Sequence, residues 1–280
     1  MLPTPIVLAD RIRLFFAACD ADMRGRVFFA DLELSPPHRI ITLSPRPVLD
    51  LGAPGAFDAD GVNPSQAFWH EGRLALLYVG WRRGGAEEPY ALITGLAFSD
   101  DGGQSFEKQT EPLLPASAEE RLFRTAACVE RQDGRWRLLY IGGGAFISDE
   151  HGKRVPVYDL KELHSPNLLA WPAAGRTRLA PDRDAGEIGF GRPTPWHDQD
   201  GAATILLSVR SFAGYRLVEC ADGPVLGAPR EVLSAPFEDW EAGMTCFGAP
   251  CAVGDRELLF YNGDGFGRTG CGLAWRPTPA

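Results

Sequence analysis

Lysine is nearly absent: it occurs three times in 280 residues, so almost all positive charge is arginine. The formal net charge is −9, and an acidic balance excludes nucleic acid and anionic membrane as the main partner. No apolar run reaches the roughly 20 residues of a membrane span. The opening MLPTPIVLADRIRL lacks a basic region followed by an apolar stretch and a small-residue cleavage site, so a cytoplasmic protein is expected. None of the six cysteines (Cys19, Cys128, Cys220, Cys246, Cys251, Cys271) forms a pair at two-residue spacing, so free, mostly buried thiols are expected. The five histidines show no metal-ligand spacing, and only His197 stands near a candidate site strand. The Gly-rich YNGDGFGRTG (Tyr261–Gly270) runs into a strand rather than a helix, which excludes a nucleotide-binding loop of the usual kind. Neither a metal nor a cofactor is expected.

What the chain does have is glycine (32) and proline (23), spread between short apolar runs. RVFFADLEL, RLALLYVGW, RWRLLYIGG, TILLSVRS and ELLFYNGDG are rich in β-branched and aromatic residues and read as strands. Only Ala116–Arg121 has helical composition, over too short a stretch to matter. The class is therefore all-β. Five apolar segments repeat one pattern, and anchoring them on Phe15, Tyr78, Tyr140, Ser208 and Tyr261 gives spacings of 63, 62, 68 and 53. A repeat of that length holding three or four strands matches one propeller blade. The expectation is a single five-bladed β-propeller domain over residues 1–280, its anchor residues on equivalent second strands. The N-terminal strands are expected to close the ring with the C-terminal GCGLAWRP.

The turn SDDGGQSFEK (Ser99–Lys108) is similar to the S-x-DG-x-x-W/F turn between outer strands of five-bladed glycosidase propellers. GAFDADGVNPS (Gly55–Ser65), EIGFGRP (Glu187–Pro193) and LLFYNGDGFGRTGCGLA (Leu258–Ala274) resemble blocks in uncharacterised members of that superfamily. Its better-known families are arabinanases, β-xylosidases, invertases and β-mannoside phosphorylases. The resemblance implies an axial funnel walled by the starts of the innermost strands, with a base carboxylate from the first blade, a pKa-tuning carboxylate from the next and a general-acid Glu from the third. Position by position it points to Asp58 or Asp60 before NPSQAF, and to Glu187 before RPTPW. In the second blade FRTAACV departs from the pattern, with Arg124 and Thr125 where an aspartate is expected.

Glycoside cleavage needs one protonated and one ionised carboxyl group. Asp60 stands nearer the inner strand than Asp58, which can equally cap a turn. Glu187 is an acid among small and apolar neighbours, either catalytic or paired with Arg192 or Arg183. Glu241 holds a similar place one repeat later, beside Trp240, which is either a sugar platform or a packing residue. Arg124 and Arg192 open inner strands and Arg210 follows a second strand. Their forks suit a carboxylate or phosphate, or else pair with Asp60, Glu187 or Glu241. Asp264, with Asn262, ends a strand that either lines the funnel or shapes a hairpin.

Two classes of function follow. One is a carbohydrate-active enzyme of glycoside hydrolase type, with Glu187 as acid, Asp60 as base or nucleophile and Glu241 as a third carboxylate. Hydrolysis, phosphorolysis and transfer all stay open within it. The other is a propeller without hydrolase chemistry that binds a sugar or anionic ligand, or catalyses something else. In both, the partner is a small sugar or sugar phosphate. Two facing carboxyls would favour the first, and a funnel walled by aromatics the second.

Overall fold

The apolar runs are strands buried on both faces, which is why they show little alternation. In the computed structural model, which describes residues 1–36, 38–197, 200–233 and 238–277, five consecutive antiparallel units follow one another along the chain. The first comprises β1 (Thr4–Val7), β2 (Ile12–Cys19), β3 (Gly25–Leu32) and β4 (Ile40–Leu43). The second comprises β5 (Gly61–His70), β6 (Arg73–Arg83), β7 (Tyr90–Ser99) and β8 (Glu107–Lys108), and the third β9 (Phe123–Gln132), β10 (Arg135–Ser148), β11 (Arg154–Ser165) and β12 (Arg176–Leu179). The fourth holds β13 (Glu187–His197), β14 (Ala203–Ser211), β15 (Tyr215–Ala221) and β16 (Arg230–Glu231). The last holds β17 (Cys246–Val253), β18 (Arg256–Asn262) and β19 (Gly272–Pro277). The anchors Phe15, Tyr78, Tyr140, Ser208 and Tyr261 all lie on the second strand of their unit. No helix among the described residues is long and apolar enough to cross a membrane.

The first strands touch in a closed cycle, β1 with β5, β5 with β9, β9 with β13, β13 with β17, and β17 with β1. A parallel pairing of Leu92–Ile93 with Phe123–Arg124 also joins the second and third units edge to edge. The ring does not close as the sequence suggests. Among the described residues β1 pairs with β2, and β19 pairs with β18. Because β1 is itself the innermost strand of the first unit, closure comes from side-by-side contact of β1 and β17 rather than a shared sheet.

Packing between units fills the core. Tyr90 of the second unit meets Phe123 and Phe146 of the third edge-on at 6.0 and 5.2 Å. The Ser99–Lys108 turn docks one unit on another: Phe106 sits 5.4 Å from Phe15. Asp101 shapes that turn by accepting from the backbone N–H groups of Gln104 and Ser105 and from both neighbouring serine hydroxyls. Burial alone would raise the Asp101 carboxyl, but these donors outweigh it and hold it at about 2. All six cysteines are free.

Candidate functional site

Each innermost strand from β5 to β17 carries one extra residue against its partner near the cavity, and β13 carries a second at Glu187–Gly189. Those near the cavity fall at Pro64–Gln66, opposite Leu139–Ile141, at Gly191–Thr194 and at Cys246–Ala249. Such bulges bend a strand and re-aim its side chains. Here they turn Thr125, Ala126, Arg192 and Phe247 towards one cavity of about 190 Å³, which residues of the second and third strands, Trp81, Tyr158 and Arg210 among them, also line. Leu2, Ala126, Phe247 and Phe266 line it with left-handed backbone, at φ between 51° and 60°. That conformation costs a residue with a Cβ roughly 1–3 kcal/mol, and such strain gathers where a site requires it.

The walls are aromatic: Trp81, Tyr90, Tyr158, Phe190, Phe247 and Phe266. Phe247 and Phe266 stack at 6.4 Å, and Tyr215 leans on Phe266 at 5.9 Å. Arg210 lies over Tyr215 and Tyr158, at 5.6 and 6.0 Å from the ring centres. Complete burial pushes the Tyr158 phenol well above its ordinary range, so it remains a neutral donor.

Arg192 is 1% exposed. Its guanidinium donates to Pro3 O at 2.9 Å, Thr4 Oγ1 at 3.1 Å, Ser65 O at 3.4 Å and Phe247 O, tying the first, second and last units to its own. Every other buried arginine among the described residues faces a carboxylate: Arg13 faces Asp31, Arg124 faces Glu120, and Arg137 faces Glu162. Arg192 has none, and burial without a counter-charge lowers it to about 10. Its Nε, and the hydroxyl of Thr125, are buried without a partner.

Of the residues singled out from the sequence, Arg192 and Arg210 line this cavity. Asp60 lines an adjoining cavity of about 520 Å³ that shares Asn63, Trp81 and Tyr90 with it; its Oδ2 accepts from Arg83 N at 2.8 Å. Asp264 lines a second groove sharing Arg210, Tyr215 and Phe266, with its carboxylate on Gly243 N at 3.1 Å. Glu187 lines a third groove, of about 290 Å³, that shares Tyr215 with the cavity, and its carboxylate accepts from Asp182 N at 3.0 Å and faces Arg216 at 3.4 Å; the part of β13 that reaches the inner cavity begins at Phe190. The rest lie elsewhere. Arg124 is held by Glu120 at 2.9 Å and by Pro115 O and Pro172 O, and its neighbour Thr125 takes the cavity position. Asp58 and Glu241 are buried against Tyr78 and Tyr261, and Trp240 packs on Tyr261 at 5.6 Å. Among the described residues no carboxylate lines the inner cavity. Reading the sequence alone missed the tyrosines and Phe247 and met Thr125 only as a departure from an expected aspartate; the placement of Thr125 and Phe247 depends on the bulges.

No protein-family model matches the chain. It is 24% identical over 282 residues to the uncharacterised protein Rv1502 of Mycobacterium tuberculosis, a match covering 98% of this chain and 91% of that one. The structure resembles a glycosyl hydrolase from Bacteroides ovatus (TM-score 0.70, 12% identity, 100% of this chain and 85% of that one). It also resembles the β-1,2-mannobiose phosphorylase of Listeria innocua in complex with β-1,2-mannobiose (TM-score 0.64, 11% identity, 93% and 85%). A thermostable family-43 glycoside hydrolase is similar over 85% of this chain and 78% of its own (TM-score 0.57, 16% identity). The chain thus has the β-propeller fold of glycoside hydrolases and mannoside phosphorylases. At these identities the likeness is one of architecture, and activity has to be argued from the site.

Proposed function

We propose that the five units are the blades of one five-bladed propeller domain over residues 1–280, and that it binds an anionic sugar or sugar phosphate in its central cavity. The observation that carries this reading is Arg192, a buried cation with no carboxylate beside it among the described residues. A buried charge is ordinarily paired, so an anionic ligand is the missing partner. Arg210 supplies a second guanidinium on the same wall, and the aromatic faces suit the C–H face of a sugar ring. The fold likeness to carbohydrate-active enzymes supports a sugar as the ligand, and six free thiols suit a reducing, cytoplasmic setting.

A second reading, cleavage of a glycosidic bond, is favoured by one observation: Asp60 and Asp264 each line a groove opening on the cavity. One would have to serve as acid and the other as base or nucleophile. Calorimetric titration with neutral sugars, uronic acids and sugar phosphates, with and without free phosphate, tests the first reading. Anionic members should bind, and Arg210→Ala should weaken them by about 2–5 kcal/mol if the pair is desolvated. Equal affinity for neutral sugars would overturn it. Release of free sugar from a glycoside panel, abolished by Asp60→Asn, would establish the second.

A further inference from the structure

The inner cavity and the adjoining Asp60 cavity meet at Asn63, Trp81 and Tyr90, yet their chemistry differs. The inner one has two arginines and, among the described residues, no carboxylate in its lining. Arg210, Arg192 and Thr125 line it, and the Arg192 Nε and Thr125 hydroxyl are buried without a partner. The Asn63 amide is already used, donating to Val62 O at 2.9 Å and accepting from the Trp81 indole at 3.1 Å. A bare sugar brings a ring of hydroxyl donors, and burying each without an acceptor costs about 1–3 kcal/mol. An acid brings acceptors only. The remaining walls (Val79, Leu92, Ile141 and Phe190 among them) are apolar and suit a carbon body. The volume of about 190 Å³ compares with the roughly 150 Å³ of an apolar cavity that takes up one benzene, leaving room for a ring and a carboxylate. The outer cavity has what the inner lacks: Asp60 spends Oδ2 on Arg83 N, leaving Oδ1 as a strong acceptor for sugar hydroxyls.

We infer that the two cavities are subsites of different chemistry, the inner for a small apolar or aromatic acid and the outer for sugar hydroxyls. The ligand class is then a sugar carrying an acidic, apolar substituent. This rests on the reading above that the ligand is an anionic sugar, but moves the sugar ring from the central cavity to the outer one.

Calorimetry on the full chain separates the two. The probes are benzoate, phenyl and 4-carboxyphenyl glycosides of glucose, mannose and galactose, and the corresponding hexose 6-phosphates. Benzoate should bind weakly, and a carboxyphenyl glycoside at least tenfold more tightly than either benzoate or its phenyl counterpart. Thr125→Val and Arg210→Lys should each weaken benzoate at least fivefold. Asp60→Asn should weaken the carboxyphenyl glycoside by a similar factor while leaving benzoate unchanged. Thermal melts confirm that each variant is folded. Sugar phosphates binding while benzoate and the carboxyphenyl glycosides do not would overturn the inference and leave the sugar reading standing. Benzoate binding with no gain from any attached sugar would overturn the sugar reading and the outer subsite together. If nothing in the panel binds, both fall.

Discussion

The phenol of Tyr261 donates to Glu241 Oε2 at 2.6 Å across a sequence separation of 20 residues. The same separation joins Tyr78 to Asp58 at 3.1 Å and Tyr140 to Glu120 at 2.8 Å. In each case an acid in the loop before an innermost strand is tied to the tyrosine on the second strand. Lys108 and Lys161, two of the three lysines, neutralise Asp58 and Glu120 at 2.6 and 2.8 Å. A glycine makes room for every ring: a Cβ at Gly95, Gly175 or Gly272 would fall within 2.6 Å of the tyrosine it faces. The acid, tyrosine and glycine form one repeated brace, and the loop it holds leads into the strand that lines the cavity.

Removing the donor exposes the worth of that brace. Tyr261→Phe leaves the buried Glu241 carboxylate short of a hydrogen bond, which costs about 1–3 kcal/mol. Urea denaturation should show the loss as a lower midpoint at unchanged slope, and ligand affinity should fall less than stability.

Gly95→Ala tests the room beneath Tyr78. The added carbon would stand 2.2 Å from Tyr78 Cζ, so the ring must shift, at about 1–3 kcal/mol for overpacking. A melting temperature equal to that of the parent chain would contradict the close approach.

Acid stability should depend on Glu162. Burial would raise its carboxyl, but His164, Arg137 and Arg176 outweigh that and hold it at about 2, below its ordinary 4.5. Folded-state depression makes the contribution fully present above the unfolded value and lost as pH falls from about 4.5 towards 2. Stability measured against pH should decline over that window, and Glu162→Gln, already less stable at neutral pH, should show a shallower decline.

The thiols give a further check. Unfolded, unreduced protein should titrate with six free thiols. In the folded protein only Cys19 and Cys271 are exposed, and burial raises both thiols. Modification should therefore be slow near pH 7 and accelerate as pH approaches 9. Rapid reaction of Cys128, Cys220 or Cys246 in the folded state would contradict their burial.

The class of fold was legible because second strands packed on both faces must be apolar throughout. Such runs recur at a blade's length, as LLYVGW at Tyr78 and LLYIGG at Tyr140 show. The 20-residue spacing between acid and tyrosine was also written in the sequence, and it marks Asp58 and Glu241 as braces. The cavity was less legible. Whether Thr125 or Arg124 meets a ligand depends on one inserted residue in β9, since a shift by one turns every side chain to the other face. Likewise Glu187 and Arg192 are five positions apart on one strand, but only the bulge at Arg192 reaches the centre. The sequence by itself determined the strands, their repeat and the supply of arginines. Tertiary structure decided which arginines were left without a carboxylate, because that choice rests on contacts between units far apart along the chain.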